Sequence, residues 1–186
     1  MLPEYCQMAL KEWAVTVDYL AKGRQIFLLR KGGLDEQTNG FLVEHSEFFL
    51  FPTYTHQTES SLNPIAKEDF VDTKESVNLV TLTYYGTVEE VIHISKIESL
   101  RHLDGLHSLN WPIVRQRFYY RNHPGLCLLV LKVYRRSRPH HLPYLIRYNG
   151  CRSWVKLEKA VSTTSLENIL SDEEFEQQRM TLHRCL

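Results

Sequence analysis

The sequence predicts an α+β fold: a single domain with a mixed or antiparallel sheet, barrel-like closure being an open alternative, a short N-terminal helix and a C-terminal helix. Three observations predict it. Strand-like apolar runs such as "IFLL", "FFLF" and "LCLLVL" outnumber the helical stretches. They do not alternate with helices in the regular βαβα order of a parallel sheet. The chain of 186 residues, 43% hydrophobic and 24% charged, is long enough to bury one core without metals or disulfides. On this reading residues 1–157 form the domain, and residues 158–186 form an acidic helical segment that packs on it or extends from it.

Element by element, Tyr5, Met8, Ala9 and Trp13 recur at helical steps behind Pro3, so residues 3–10 read as a short helix. "WAVTV" is β-branched and alternating, which predicts a strand. "RQIFLLRKGG" is a strand closed by Gly32-Gly33, and the loop after it turns at Asn39-Gly40. "FLVEH" and "SEFFLFPT" are strand pieces, the second stopped by Pro52. A polar stretch with Asn63-Pro64 leads into "VNLVTLTYYG" and "TVEEVIHIS", two strands that meet at Gly86 as a hairpin or sharp bend. Ile97, Leu100, Leu103 and Leu106 share a helical face, weakened by Gly105. "IVRQRFYYR" fits strand or helix. "GLCLLVLKVYRR" is a central strand, followed by an apparent loop "YRRSRPHH". "YLIRY" and "CRSWVKL" are short strands, and the C-terminal helix starts from Thr164 or Ser165 as N-cap.

No apolar run approaches the roughly 18 residues that span a bilayer, and the N-terminus lacks a signal-peptide pattern. Cys6, Cys127, Cys151 and Cys185 have neither zinc-site nor disulfide-framework spacing. A cytoplasmic protein with reduced thiols, no membrane and no cofactor is expected; the sequence leaves the oligomeric state open.

Zero net charge hides a segregation. Residues 105–157 carry ten Lys/Arg and no acid, whereas residues 1–104 carry 16 acids against 9 bases. Such a block suits a surface that faces an anion. In it Arg115, Arg117, Arg121, Arg135, Arg136 and Arg138 mix with aromatics that include Trp111, Tyr119, Tyr120 and Trp154. Cations track phosphates and aromatic faces stack bases, which points to nucleic acid or nucleotide. The competing reading is that these arginines pair with the acidic N-terminal half. If "VRQRF" is extended, Arg115 and Arg117 point the same way.

The second constellation is "FFLFPTYTHQ". A core strand runs into Thr53, Tyr54, His56 and Gln57, hydrogen-bonding groups of the kind a pocket needs, and His56 could act as general acid/base. The bland alternative is that they satisfy a loop's backbone groups. Arg30 and Lys31 of "RKGG" could lie alongside and suit a phosphate. A metal site among Glu98, Asp104, His93, His102 and His107 is rejected on spacing, and no nucleophile motif appears.

The motifs "ALKEWAVTV", "GRQIFLLRKGG", "FLVEHSEFFLFPTYTHQ" and "YNGCRSWVKL" occur in an order that resembles a bacterial family, common in cyanobacteria, known as domain of unknown function 1802. The resemblance covers about residues 3–157. It implies a bacterial cytoplasmic protein in a family suspected of an unassigned enzymatic role, and it supplies no catalytic residues. It makes PTYTHQ, RKGG and GCRSW look like hallmarks of one site. The resulting expectation is an anionic-ligand groove for nucleic acid or nucleotide. Two alternatives stand beside it: an enzyme on a small phosphorylated or nucleotide substrate using His56, and a module that docks an acidic protein partner.

Overall fold

The computed structural model describes residues 2–31, 42–71, 78–150 and 152–186. The expected turns at Gly32-Gly33 and Asn39-Gly40, and Cys151, lie outside the described residues.

The chain opens as a strand, β1 (Tyr5–Trp13), and only then becomes helical in α1 (Ala14–Ala21), the reverse of the sequence expectation. β1 is flanked by β3 (Glu47–Thr53), parallel, and β6 (Trp154–Ser162), antiparallel. Both Ala9 and Leu10 are therefore fully buried, and the alternation that marks a half-exposed strand is lost. In α1 the β-branched Val15, Thr16 and Val17 are all buried with Tyr19 and Leu20. That burial outweighs a helix-propensity penalty of about half a kcal/mol per residue. Gly23 ends the helix at φ +65°, with the N–H groups of Gly23 and Arg24 returning to the carbonyls of Leu20 and Tyr19. A Cβ at Gly23 would stand 2.6 Å from the Leu170 side chain.

Among the described residues seven strands form one mixed sheet in the order β2 (Phe27–Arg30), β5 (Leu126–Pro143), β4 (Leu79–Ile94), β3, β1, β6, with β7 (Leu166–Asn168) pairing with β5 off this path. The path has ends at β2 and β6, so the sheet is open and does not close into a barrel. Pro52 does not stop β3, which continues to Thr53 alongside β1. Gly86 is not a hairpin: β4 runs through it as one strand, with Phe48 and Val133 paired on either side. A Cβ there would lie 3.4 Å from the Phe48 ring, so this glycine serves close packing.

"RRSRPHH" is likewise not a loop but part of β5. Arg135 pairs with Tyr84 and His140 with Leu82, so residues 136–139 bulge opposite Thr83 while β7 pairs with Arg135 and Arg136. Residues 42–45 form no strand, and "YLIRY" forms a 3-10 turn over Ile146–Tyr148. The Leu100 helix is a single short turn, α2 (Ile97–Arg101), and Gly105 stands at φ +84°. "IVRQRFYYR" resolves as a helix, α3 (Trp111–Phe118), with Asn110 capping the Ile113 N–H and Pro112 in the first turn. The last helix, α4 (Asp172–Cys185), starts later than expected, from Ser171, which forms a reciprocal capping box with Glu174.

Alternate residues of β2 and β5 bury on opposite faces. Phe27, Leu29, Leu128 and Val130 pack with Val114 and Phe118 of α3 and Phe175 and Leu182 of α4. Leu28, Leu129 and Leu131 pack with Phe48, Leu50 and α1. No described helix is long and apolar enough to cross a membrane.

Candidate functional site

α1 begins without a Ser, Thr or Asp cap, and side chains from outside the helix take backbone donors at its start. Glu12 Oε1 accepts from the Trp13 N–H at 2.9 Å, and Gln57 Oε1 accepts from the Val15 N–H at 3.0 Å. This divides the PTYTHQ cluster. Gln57 is buried, and its side chain bonds the start of α1. Thr53 donates its hydroxyl to the Glu12 carbonyl at 3.1 Å. Tyr54 and Gln57 line a cavity of about 450 Å³ beside α1, with Pro52, Tyr84 and Thr83. Thr53, Thr55 and His56 turn the other way, into a cleft of about 460 Å³.

That cleft is where the ends of β1, β2 and β3 meet. It is lined by Lys11, Glu12 and Trp13 from β1, Arg30 and Lys31 from β2 and its end, and Arg117 from α3. Tyr120, Tyr144, Asn149, Arg152 and Ser153 complete the rim. Among the described residues it thus presents five Lys/Arg side chains and one carboxylate.

The cations are not equivalent. Arg30 is bound to Glu12 at 2.7 Å, both side chains nearly buried, and also donates to the Lys11 carbonyl at 3.1 Å. The Lys31 ammonium donates to the carbonyls of Phe118, Gly125 and His123, which anchors the chain just after α3; burial lowers its pKa. Lys11 reaches the carbonyls of Tyr148 and Gly150 and ties down the opposite rim. Arg117 differs from these. Its guanidinium lies over the Trp13 ring, 4.7 Å from the centroid, and donates to the Leu29 carbonyl at 3.2 Å. No carboxylate of the described residues is within ion-pair distance of it. Burial pushes its pKa down; the Glu12 charge opposes that shift and the Arg30 charge adds to it. Two guanidiniums therefore share the field of one carboxylate.

His56 stands at the cleft's lip in a left-handed conformation, φ +64°, which histidine tolerates better than most side chains. Its ring makes no hydrogen bond to the described residues. Among those residues no group of three or more His, Cys, Asp or Glu could hold a metal ion. The described cysteines are free thiols, and burial pushes Cys6 up and Cys127 up to about 11. His107 is buried, its pKa lowered to about 4 by desolvation, and it stacks edge-on against Phe27.

Of the residues singled out in the sequence, Arg30, Lys31, Thr53, His56 and Arg117 share the cleft. The basic block does not converge on it as a whole. Because residues 111–118 are helical and not extended, Arg115 is exposed while Arg117 turns inward. Arg121 follows on the next turn. Arg135 and Arg138 are exposed on β5, and Arg136 lies over the Phe49 ring at 5.8 Å with Nε and Nη1 buried and without hydrogen-bond partners. None of these lines the cleft. Trp154 donates to the Leu42 carbonyl and packs edge-on against Phe48. Sequence reasoning missed Glu12 and Trp13, hidden in a stretch assigned to the wrong element, and Lys11 with them. Arg152 was visible within GCRSW.

No curated protein sequence matches the chain. Three crystal structures of the ASCH protein from Zymomonas mobilis resemble its fold. A serine-to-alanine variant gives a TM-score of 0.45 at 13% identity, covering 97% of this chain and 99% of that one. The ASCH protein itself gives 0.45 at 11%, covering 94% of each chain, and a tyrosine-to-phenylalanine variant 0.44 at 12%, covering 94% and 96%. At that level of likeness no residue role passes from one protein to the other. A family model matches residues 9–181, which takes in β7 and most of α4, beyond residue 157 where the motif resemblance ends. The chain belongs to the family described as Domain of unknown function (DUF1802).

Proposed function

We propose that the cleft binds the phosphate of a nucleotide unit, with Arg117 as the principal contact and Arg152 beside it. The observation that carries this is the charge in the cleft: Arg117, partly buried and backed by Trp13, has no carboxylate of its own among the described residues. An enclosed guanidinium without a counter-ion is costly, and an anionic ligand relieves that cost. The volume of about 460 Å³ suits a ligand of nucleotide size, and Trp13, Tyr120 and Tyr144 offer ring faces to a base.

Binding is favoured over catalysis by His56. A general base is held by a second group that fixes its orientation, and the His56 ring has no such partner among the described residues. Calorimetric titration with nucleoside 5′-monophosphates at low and moderate salt tests the reading. Arg117→Gln is expected to weaken binding by about 2 kcal/mol, the scale of a charge-assisted hydrogen bond, and to flatten the salt dependence. Failure of any monophosphate to bind at low salt, or unchanged binding by the variant, refutes it.

A further inference from the structure

The cationic and aromatic surface does not stop at the cleft's rim. Just past α3 the residues Tyr119 and Tyr120 are 44% and 43% exposed, with the Tyr119 ring set edge-on against Phe118. The Arg121 guanidinium lies over the Tyr120 ring, 5.5 Å from its centroid. Arg115 stands one helical turn before Tyr119, on the same face, exposed and with no ion-pair partner among the described residues. No acidic residue occurs anywhere in residues 105–157.

This turn is held in a costly shape. Arg121 and Asn122 both take left-handed backbone, φ 56° and 58°, where side-chain-bearing residues are disfavoured. Lys31 underpins it by donating to the carbonyls of Phe118, His123 and Gly125. The Asn122 and His123 N–H groups close onto the carbonyls of Tyr119 and Tyr120. Exposed rings on a pinned, cation-flanked turn form a platform set before any ligand arrives. Such a platform suits unpaired bases, whose faces are open to stack, and not a duplex, whose faces are already covered.

We infer that the ligand is a single-stranded nucleic acid, not a free mononucleotide, and that the nucleotide next to the one in the cleft stacks on Tyr119 with Arg121 and Arg115 at its phosphates. The inference rests on the cleft reading above. The test compares nucleoside monophosphates with fluorescein-labelled RNA and DNA hexamers of mixed sequence, by competition and anisotropy in low salt. A hexamer of at least one sugar type is expected to bind at least about tenfold tighter than a monophosphate, on the scale of one stacked base. Tyr119→Ala combined with Arg121→Gln, neither of which lines the cleft, should remove most of that advantage and leave monophosphate binding unchanged. Circular dichroism checks that the variant folds. Equal affinity for hexamer and monophosphate, or a double variant that binds hexamers like the parent, overturns this inference and leaves the cleft reading intact. A protein that binds neither probe overturns both.

Discussion

Replacing Glu12 by Gln removes the one carboxylate among the described residues of the cleft while keeping an oxygen to accept from the Trp13 N–H. Glu12 and Arg30 have side chains only 3% and 12% exposed, so water screens their 2.7 Å contact weakly. Removing one partner of such a pair costs about 3–5 kcal/mol. Arg30 keeps its bond to the Lys11 carbonyl, which favours the lower end, about 3 kcal/mol. For a chain of this size that lowers Tm by roughly 6–12 °C. Among the described residues, the variant also leaves Arg117 without the opposing field of Glu12, so anions should bind it more tightly than the parent. Phosphate at about a hundred times its dissociation constant would restore about 2.7 kcal/mol. Urea unfolding followed by tryptophan fluorescence, in chloride and in phosphate at matched ionic strength, measures both effects. A loss under about 1 kcal/mol, or equal phosphate stabilisation of variant and parent, would refute the shared-carboxylate account.

Other consequences are independent of the ligand. The folded His107 pKa is depressed from 6.5 to about 4, so its contribution is present above pH 6.5 and is lost as pH falls through that window. The loss amounts to roughly 3 kcal/mol, and His107→Asn should flatten the stability profile there; a parent profile that is already flat contradicts the burial argument. Lys31→Met strips the ammonium from three carbonyls and should cost about 2 kcal/mol, with faster amide exchange at residues 118–125. Unchanged exchange would deny Lys31 its clamping role. Ser171→Ala removes the α4 cap and should cost about 1 kcal/mol in urea unfolding. The Glu174 carboxyl, lowered by its bonds to Ser171, favours the folded helix above the ordinary glutamate range and ceases to as pH falls through its depressed pKa.

β2 and β5 were legible because both bury their two faces and read as unbroken apolar runs. The sequence misled where tertiary burial overrode local preference. Ala9 and Leu10 are both enclosed, so β1 lost its period, and the β-branched start of α1 reads as a strand. That exchange concealed Lys11, Glu12 and Trp13, which form the β1 wall of the cleft. Asn110 and Pro112 do carry a readable helix start, and a helical reading of residues 111–118 separates Arg117 from Arg115. The Arg135–Arg138 stretch looked like a loop because its charges and Pro139 mask a bulged strand, a feature set by pairing with β4 and β7. The partnership of Lys31 with three carbonyls spans 87 to 94 residues of sequence, which no local pattern records.

The protein has three tryptophans, of which Trp13 lines the cleft while Trp111 lies under Arg101 and Trp154 is bonded to the Leu42 carbonyl. Its three indole N–H resonances therefore report on three separate places. A proton–nitrogen correlation spectrum recorded during titration with a nucleoside monophosphate should shift the Trp13 indole saturably, with Trp111 and Trp154 nearly still. Shifts confined to Trp111 or Trp154, or no saturable shift at Trp13 in low salt, would contradict the cleft as the binding site.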